Sequence, residues 1–208
     1  MNIINIRPAL MNDAKLLAAL ATQVWLDTYA KDGIRADMAD YVATQLNAET
    51  FVTLLQDPSR SIWLAERDSF AVGFAQINHA SQYESPQEPE VPLPPPEGGE
   101  TTWDGPAFVS RESPQESDML QARNPAELER LYVQEPSTGL GLGRRLLNQA
   151  EHAALQRGAS HLWLCVWAYN ERALAFYAAC DYVHHGKTYF ELGQERHAND
   201  VLAKKLSS

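Results

Sequence analysis

Residues 133–145 read VQEPSTGLGLGRR, and glycines occupy every second position from 139 to 143. Glycine lets the backbone turn sharply and lets a ligand approach the main-chain amides closely. A helix is predicted to begin directly after the glycines, and a helix N-terminus presents unpaired N–H groups and a partial positive charge. The segment therefore predicts an anion site suited to phosphate, with Arg144 and Arg145 adding side-chain charge nearby.

Two familiar phosphate motifs fit this segment poorly. A P-loop needs Lys-Ser or Lys-Thr after its last glycine, whereas Arg144 and Arg145 follow here. A dinucleotide fold places G-x-G-x-x-G early in the chain with an acidic residue about twenty positions later. Here the pattern is G-x-G-x-G and lies late in the chain. A third alternative stays open, in which the glycines only relieve crowding in a structural loop.

Hydrophobic periodicity and turn residues divide most of the chain into strands and helices. The predicted strands are 2–7, 61–66, 70–78, 127–133, 160–167, 182–190 and 200–205. The predicted helices are 12–29, 36–46, 48–56, 144–157 and 170–179. An early hairpin followed by alternating strands and helices implies a single domain over 1–208, an α/β sandwich with a mixed sheet.

Residues 82–126 differ in composition from the rest of the chain. Nine of the twelve prolines fall there, with few large apolar residues. Such a segment buries too little surface to offset the entropy of ordering it. We interpret it as a Pro/Glu-rich inserted loop, with a short ordered piece expected at 103–108. A proline-rich recognition segment is the alternative.

The charge of the chain limits its partners. A net charge of −10 argues against nucleic acid and anionic membranes, and it is compatible with a cationic small molecule. Two isolated cysteines, Cys165 and Cys180, are expected to be reduced core thiols. The histidines lack metal-ligand spacing, so no metal is expected. No membrane span or secretion signal is visible, which predicts a cytoplasmic protein.

Residues 131–182 resemble the GCN5-related N-acetyltransferase (GNAT) superfamily in two segments that occur in the correct order. The first is L-x-V followed by [QR]-x-x-G-x-[GA], matched by Leu131, Val133 and 138–143. The second is N-x-x-A-x-x-F-Y after a strand, matched by Asn170, Ala173, Phe176 and Tyr177. The tail, with 190–193 and 200–202, is similar to the polyamine (spermidine/spermine) acetyltransferase branch.

The resemblance implies a mixed, mostly antiparallel sheet flanked by helices, and an enzyme that moves an acetyl group from acetyl-CoA to a primary amine of a small molecule. A polyamine is the first acceptor to consider, and a homodimer is one arrangement that the resemblance allows. A protein N-terminus or lysine is the alternative acceptor, and a CoA-binding regulatory domain without turnover is the alternative function. The implied cofactor-binding residues are Leu131, Tyr132, Val133, Thr138, Gly139, Leu140, Gly141, Leu142, Gly143, Arg144, Asn170, Ala173, Phe176 and Tyr177.

Two positions depart from the superfamily pattern. Thr138 stands where Gln or Arg is usual, so one phosphate contact is lost or passes to Arg144. Asp181 stands where a glycine usually follows the Phe-Tyr helix, and Asp tolerates a left-handed backbone less well than glycine. Neither departure changes the main-chain amides that would bind the pyrophosphate.

Acetyl transfer needs a neutral amine, and an amine of pKa about 10.4 is almost fully protonated at pH 7. Glu127 is the first candidate for the base, because superfamily members often carry a glutamate six residues before the position of Val133. Glu129 is the second, because an extended strand would place it on one face with Glu127, Leu131 and Val133. A water chain is the third alternative.

The resemblance assigns further roles around the reacting atoms. The Val133 N–H would hydrogen-bond the thioester carbonyl. Tyr177 would return a proton to the departing thiolate, since a phenol pKa of about 10 is near that of a thiol. Asn170 either contacts the pantetheine arm or only caps its helix. The residues of the first helix that would line the acceptor groove are Trp25, Asp27, Thr28 and Tyr29.

Overall fold

Seven strands form one sheet in the computed structural model, which describes residues 4–82, 122, 124–193 and 195–207. The strands are β1 Ile4–Pro8, β2 Arg60–Arg67, β3 Phe70–Asn78, β4 Ala126–Val133, β5 His161–Trp167, β6 Val183–Leu192 and β7 Glu195–Lys205. The helices are α1 Ala14–Tyr29, α2 Ala36–Gln45, α3 Ala48–Gln56, α4 Leu142–Gln156 and α5 Glu171–Ala178. The predicted elements are confirmed, and β7 begins earlier than the sequence indicates.

The strand order across the sheet is β1-β2-β3-β4-β5-β7-β6. Neighbouring strands are antiparallel except for β4 and β5, which run parallel. Two parallel neighbours need a crossover connection, and α4 provides it. The prediction of a mixed, mostly antiparallel sheet is therefore confirmed.

Helices cover both faces of the sheet. On one face, α1, α2 and α3 pack around buried side chains that include Leu17, Phe51 and Phe74. On the other face, α4 and α5 pack around a second cluster that includes Leu146 and Leu164. Each fully buried Leu or Phe contributes about 1.5–3 kcal/mol. The sheet is thus held in place from both sides.

The predicted insertion at 82–126 lies between β3 and β4, which are neighbours in the sheet. An insertion at this place leaves the pairing of β3 with β4 unchanged, because it only lengthens the connection between two adjacent strands. Most of the segment lies outside the described residues, including 103–108, where the sequence predicts a short ordered piece.

A bulge interrupts β4 at Glu129. Leu128 pairs with Ile77 and Arg130 pairs with Gln76, so Glu129 is an extra residue without a partner position on β3. A bulge of this kind changes which face of the sheet the following side chains occupy. The simple alternation assumed for this strand therefore fails at the candidate bases.

Because of the bulge, the side chains of Glu127 and Glu129 lie on the other face of the sheet from those of Leu131 and Val133. Leu131 and Val133 pack with the cluster beneath α4. Glu129 contacts Gln76, which is two residues from Phe74 and therefore on the α1–α3 face of β3. Glu127 pairs with Asn78, again two residues further along β3, and so lies on this face too. The prediction that Glu127, Glu129, Leu131 and Val133 share one face is wrong.

β4 and β5 separate soon after they meet. Their pairing is limited to Ala126 with Leu162 and Glu127 with Trp163, although β4 continues to Val133 and β5 to Trp167. Diverging strands leave main-chain groups without ladder partners and open a slot in the sheet. We call this slot the β4–β5 gap.

Cys165 is exposed and Cys180 is buried. The prediction of two core thiols is therefore wrong for Cys165. The reason is the β4–β5 gap, because Cys165 follows the last residue of β5 that pairs with β4. The composition of β5 predicts a fully buried strand, but one side of β5 is open to solvent.

Candidate active site

A tight turn connects β4 to α4. It begins with a 3₁₀ helix at Glu135–Ser137, and the Thr138 hydroxyl donates a hydrogen bond to the Glu135 carbonyl at 2.7 Å. Gly139 and Gly141 adopt φ angles of 74° and 73°, in the left-handed region that favours glycine. A Cβ at either position would meet no atom within 4 Å, so the outer side of the turn is open.

Main-chain amides line this turn where α4 begins. The first helical bond runs from the Arg145 N–H to the Gly141 carbonyl at 3.1 Å. The amides of Leu142, Gly143 and Arg144 precede it and have no helical partner. The Leu142 side chain is buried, so this residue offers only its backbone. The turn combines open amides with the positive end of a helix dipole, which are the features of an anion site.

The charged and polar side chains near the turn are already engaged. Arg144 Nη2 donates to the Ala179 carbonyl at 2.6 Å, which ties α4 to the end of α5. Arg145 Nη2 donates to the Ile4 carbonyl at 3.0 Å, so its side chain extends to β1. The prediction that Arg145 adds its charge at the turn is therefore wrong. The Thr138 hydroxyl donates its proton within the turn. Anion binding here depends chiefly on the main chain.

Helix α5 packs closely against the start of α4. Asn170 caps it, with Oδ1 accepting a hydrogen bond from the Ala173 N–H at 3.1 Å, so the N-cap role is confirmed. The Phe176 ring lies 3.5 Å from the position of a Cβ built on Gly143. A Cβ at this position would therefore make an ordinary van der Waals contact with Phe176.

Tyr177 is 8% exposed and lies between the rings of Phe176 and Tyr182, with centroid distances of 5.1 and 5.6 Å. Burial raises the pKa of Tyr177, and neighbouring groups that include Tyr29 and Tyr132 raise it further.

Asp181 follows α5 with a φ of 67°, so it adopts the left-handed conformation that glycine would take without strain. The Tyr182 N–H closes this turn by donating to the Tyr177 carbonyl at 3.1 Å. A non-glycine residue in this conformation costs roughly 1–2 kcal/mol, less for Asp than for most residues. The departure from the superfamily pattern is therefore accommodated as local backbone strain.

The backbone of Val133 is directed into the β4–β5 gap. The Gln134 N–H donates to the Val72 carbonyl at 3.0 Å, and Val133 lies opposite Gly73. Bonding to one neighbour alternates along an antiparallel strand, so the N–H and C=O of Val133 point away from β3. On that side β5 has already separated from β4. The Val133 N–H is therefore available to a ligand in the gap.

Glu127 lies where the gap begins. Its Oε2 accepts a hydrogen bond from Ser81 Oγ at 2.8 Å. Burial raises the pKa of Glu127, and the nearby charge of Glu129 adds to this, while Ser81 lowers it. A desolvated carboxyl group beside an opening is suited to accept a proton from a substrate.

Glu129 is held by three side chains. Arg60 Nη2 lies 3.2 Å from Oε1, and Asn78 Nδ2 donates to the same oxygen at 3.3 Å. Gln76 Nε2 donates to Oε2, and the Gln76 side chain is fully buried. These contacts occupy the carboxylate of Glu129, whereas Glu127 has a single hydroxyl partner among the side chains that the structure describes. The geometry therefore favours Glu127 as the group with a free lone pair.

Aromatic rings from four elements meet near the ends of α1 and β5. Tyr29 contacts Trp167 with a centroid distance of 5.7 Å, and Tyr41 contacts Phe190 at the same distance. Trp25 is buried and stacks on Tyr41 at 4.9 Å, which makes it a core residue. The sequence indicated only the α1 members of this group. The others come from distant parts of the chain, and no short motif joins them.

A search for metal ligands covers 4–82, 122, 124–193 and 195–207, and no group of three or more His, Cys, Asp or Glu side chains there could hold a metal ion. Within the same residues, no helix is long and apolar enough to cross a membrane.

The fold and the glycine turn define an acetyltransferase-type α/β protein, and a family model described as Acetyltransferase (GNAT) family matches residues 22–182. The chain belongs to this family and is an acetyl-CoA-dependent N-acetyltransferase. An uncharacterized N-acetyltransferase of Lactobacillus delbrueckii subsp. lactis, from the pepI 3′ region, is 24% identical over 188 residues, which are 90% of this chain and 89% of that protein.

Solved structures share the fold over nearly the whole chain. The PaiA N-acetyltransferase of Thermoplasma acidophilum, solved in complex with coenzyme A, is 18% identical with a TM-score of 0.64, covering 98% of this chain and 99% of that one. YncA of Salmonella typhimurium, solved with acetyl-CoA, is 15% identical with a TM-score of 0.59, covering 99% and 95%. At these identities the likeness concerns the fold, and the acceptor has to be inferred from the site.

Proposed function

We propose that the protein acetylates a primary amine of a small molecule, with a polyamine as the first acceptor to test. The observation that carries this proposal is the position of the amide-lined glycine turn beside a gap into which the Val133 N–H is directed. The turn suits a diphosphate and the free N–H suits a carbonyl oxygen. A net charge of −10 favours a cationic acceptor.

The residues around the turn and the gap fit coenzyme A. The amides from Gly139 to Arg144 would bind its pyrophosphate. The two left-handed glycines, Gly139 and Gly141, have no Cβ and face open space, so a ligand can approach these amides. The backbone from Leu131 through Tyr132 to Val133 would border one side of its arm. Residues of the α5 segment that would border the other side are Asn170, Ala173, Phe176 and Tyr177. Acetyl-CoA bound there supplies an acetyl thioester, whose carbon–sulfur bond breaks as the amine nitrogen forms the amide.

Glu127 would take the proton that the amine must lose. Burial raises the pKa of Glu127, which makes its carboxylate a stronger base. The group is still ionised at any pH above that raised pKa. Glu129 is the second candidate, but Arg60, Gln76 and Asn78 already occupy its oxygens. We therefore assign proton removal to Glu127 and the positioning of β2 and β3 against β4 to Glu129.

Tyr177 would provide the proton for the departing thiolate. The phenol is protonated at neutral pH, as a donor must be, although burial raises its pKa and makes it a weaker acid than the match to a thiol pKa assumed. The buried ring is fixed by Phe176 and Tyr182, which limits the positions of the hydroxyl. The Val133 N–H would stabilise negative charge on the acetyl oxygen, as a main-chain donor does in an oxyanion hole.

One other acceptor class competes with this proposal. Acetylation of a protein N-terminus or lysine would use the same turn and gap with a peptide as acceptor.

Thiol release from acetyl-CoA separates these functions. Polyamines, aminoglycosides, amino acids and short peptides are supplied in turn as acceptors, with a reaction lacking any acceptor as the control. We expect the polyamines to release thiol fastest. Release with peptides alone would indicate a protein acetyltransferase. No release with any small amine, while CoA still raises the melting temperature, would contradict the proposed acceptor class.

A further inference from the structure

Five aromatic side chains form a wall beside the candidate site. Tyr29 meets Trp167, and Trp167 meets Tyr169, with centroid distances of 5.7 and 5.6 Å. Tyr41 meets Phe190 edge to face at 5.7 Å, and buried Trp25 contacts both Tyr29 and Tyr41 from behind. We call this set the aromatic wall, which consists of Tyr29, Tyr41, Trp167, Tyr169 and Phe190.

The aromatic wall continues the face of the sheet on which Glu127 lies. Side chains alternate along a strand, so Cys165 and Trp167 share a face. Glu127 pairs with Trp163, which lies two residues before Cys165 and so shares its face of β5. Trp167 lies four residues beyond Trp163, about 13 Å along the strand. A ligand that binds at Glu127 and extends along this face therefore approaches the aromatic wall.

Three of the five residues of the wall are exposed to solvent, and Tyr41 and Trp167 are partly buried. Tyr29, Tyr169 and Phe190 are 37%, 52% and 37% exposed. In the part of the chain that the structure describes, the cations placed over rings lie on Phe51, Tyr189 and Tyr182, none of which belongs to the wall. An aromatic face attracts a cation through its quadrupole. The exposed rings of the wall are therefore candidate sites for a cation.

The charge around the wall also favours a cation. Arg35 precedes α2, which carries Tyr41, and its guanidinium pairs with Asp37 at 3.0 Å and Glu195 at 2.8 Å. Two carboxylates therefore neutralise this arginine, and the pairs also join α2 to β7.

We propose that the aromatic wall binds a second cationic group of the acceptor, so that the substrate is a diamine or longer polyamine held by cation–π contacts while its other amine reacts. This inference rests on the proposed function, because it places the reacting amine at Glu127. The separation between Glu127 and the aromatic wall sets the distance between the two amines of the substrate. The ring faces, and not carboxylates, make the main contact with the distal charge.

The test compares two primary amines of one shape that differ in charge at the distal end. (5-Aminopentyl)trimethylammonium carries a cationic head, and 6,6-dimethylheptylamine carries the same head with carbon in place of nitrogen. Their affinities are measured by calorimetry on the CoA-bound protein, where no acetyl group is available. We expect the cationic amine to bind about tenfold more tightly. Equal binding, or tighter binding of the neutral amine, would show a hydrocarbon pocket and overturn the proposal.

Ring removal tests whether the wall is the source of this preference. Tyr169→Leu and Trp167→Leu each remove a ring, and Tyr169→Phe and Trp167→Phe keep one as matched controls. The preference should fall to about threefold or less in the Leu variants and persist in the Phe variants. Persistence in both Leu variants would place the cation elsewhere. Tyr169 is largely exposed, so its replacement leaves the fold intact.

The binding measurement and the thiol-release assay can fail independently. A tenfold preference without turnover of any amine would contradict the proposed function and leave the cation site standing. Turnover without the preference would leave the acetyltransferase proposal standing and contradict the cation site.

Discussion

Glu127 on β4 lies opposite Trp163 on β5, and this is the last position at which the two parallel strands are paired. The residues before it belong to a continuous sheet, and those after it border a slot. The candidate base thus lies where ladder bonding ends. The candidate main-chain donor, Val133, lies further along the same strand with its N–H directed into the slot.

Replacing Tyr177 by Phe should remove the candidate proton donor without disturbing the packing of its ring. We expect kcat to fall by about 10²–10⁴ with the best acceptor from the thiol-release screen. The melting temperature should still rise on addition of CoA, since the amides of the glycine turn are unchanged. A variant that keeps wild-type kcat would remove Tyr177 from the reaction.

Replacing Glu127 by Gln should change the pH dependence of catalysis. A base must be deprotonated, and burial raises the pKa of Glu127, so the acid limb of the wild-type kcat/KM profile should lie above the usual glutamate value of about 4.3. The variant should lose this limb and most of its rate. An unchanged limb in the variant would assign it to another group.

The same substitution should change how stability depends on pH. A carboxyl group whose pKa is raised on folding contributes stability below its unfolded pKa, and this contribution is lost as pH rises through the folded pKa. Glu127→Gln cannot titrate, so its melting temperature should gain on the wild type as pH increases from about 4 to 7. A constant difference across this range would contradict the raised pKa.

Glu129→Ala should act mainly on stability. The variant leaves Arg60 without this carboxylate and leaves the buried Gln76 amide without its acceptor, at a cost of about 1–3 kcal/mol in the free energy of unfolding. Denaturant titration measures this loss. The double variant with Arg60→Ala should lose less than the sum of the single losses, because both remove one ion pair. A stable variant with greatly reduced kcat would instead support Glu129 as the base.

Two glycines of the turn should differ in their tolerance of alanine. Gly141→Ala places a side chain at a φ of 73° and should cost about 1–2 kcal/mol in stability, with weaker CoA binding as the turn adjusts. Gly143→Ala is the matched control, because its Cβ would meet Phe176 at an ordinary 3.5 Å. The control should remain within about 0.5 kcal/mol of the wild type. Equal losses would contradict the conformational argument.

Asp181→Gly should stabilise the protein. The residue has a φ of 67°, and glycine removes the strain of this conformation, for a net gain of about 0.5–1 kcal/mol after the added flexibility of the unfolded chain. Asp181→Ala should be destabilising, since alanine tolerates the left-handed region less well. Thermal unfolding of both variants checks the order. A loss on substitution by glycine would show that the Asp181 side chain makes a stabilising contact.

The elements around the active site could be predicted because their signals are local. A run of six apolar residues at 162–167 indicates β5, the glycines at 139–143 indicate the turn, and Asn170 indicates the start of α5. Each signal depends on residues that are neighbours in the chain. The exposure of Cys165 could not be predicted in this way, because its strand composition is that of a buried strand, and only the departure of β4 uncovers it.

The sequence by itself determined the order of strands and helices, the glycine turn and the superfamily, since periodicity, capping and backbone freedom act over a few residues. The tertiary structure alone decided the face occupied by Glu127 and Glu129, the β4–β5 gap and the aromatic wall. These features depend on strand register and on packing between segments far apart in the chain. The bulge at Glu129 changes which face of the sheet the following side chains occupy, and no local sequence pattern predicts this bulge.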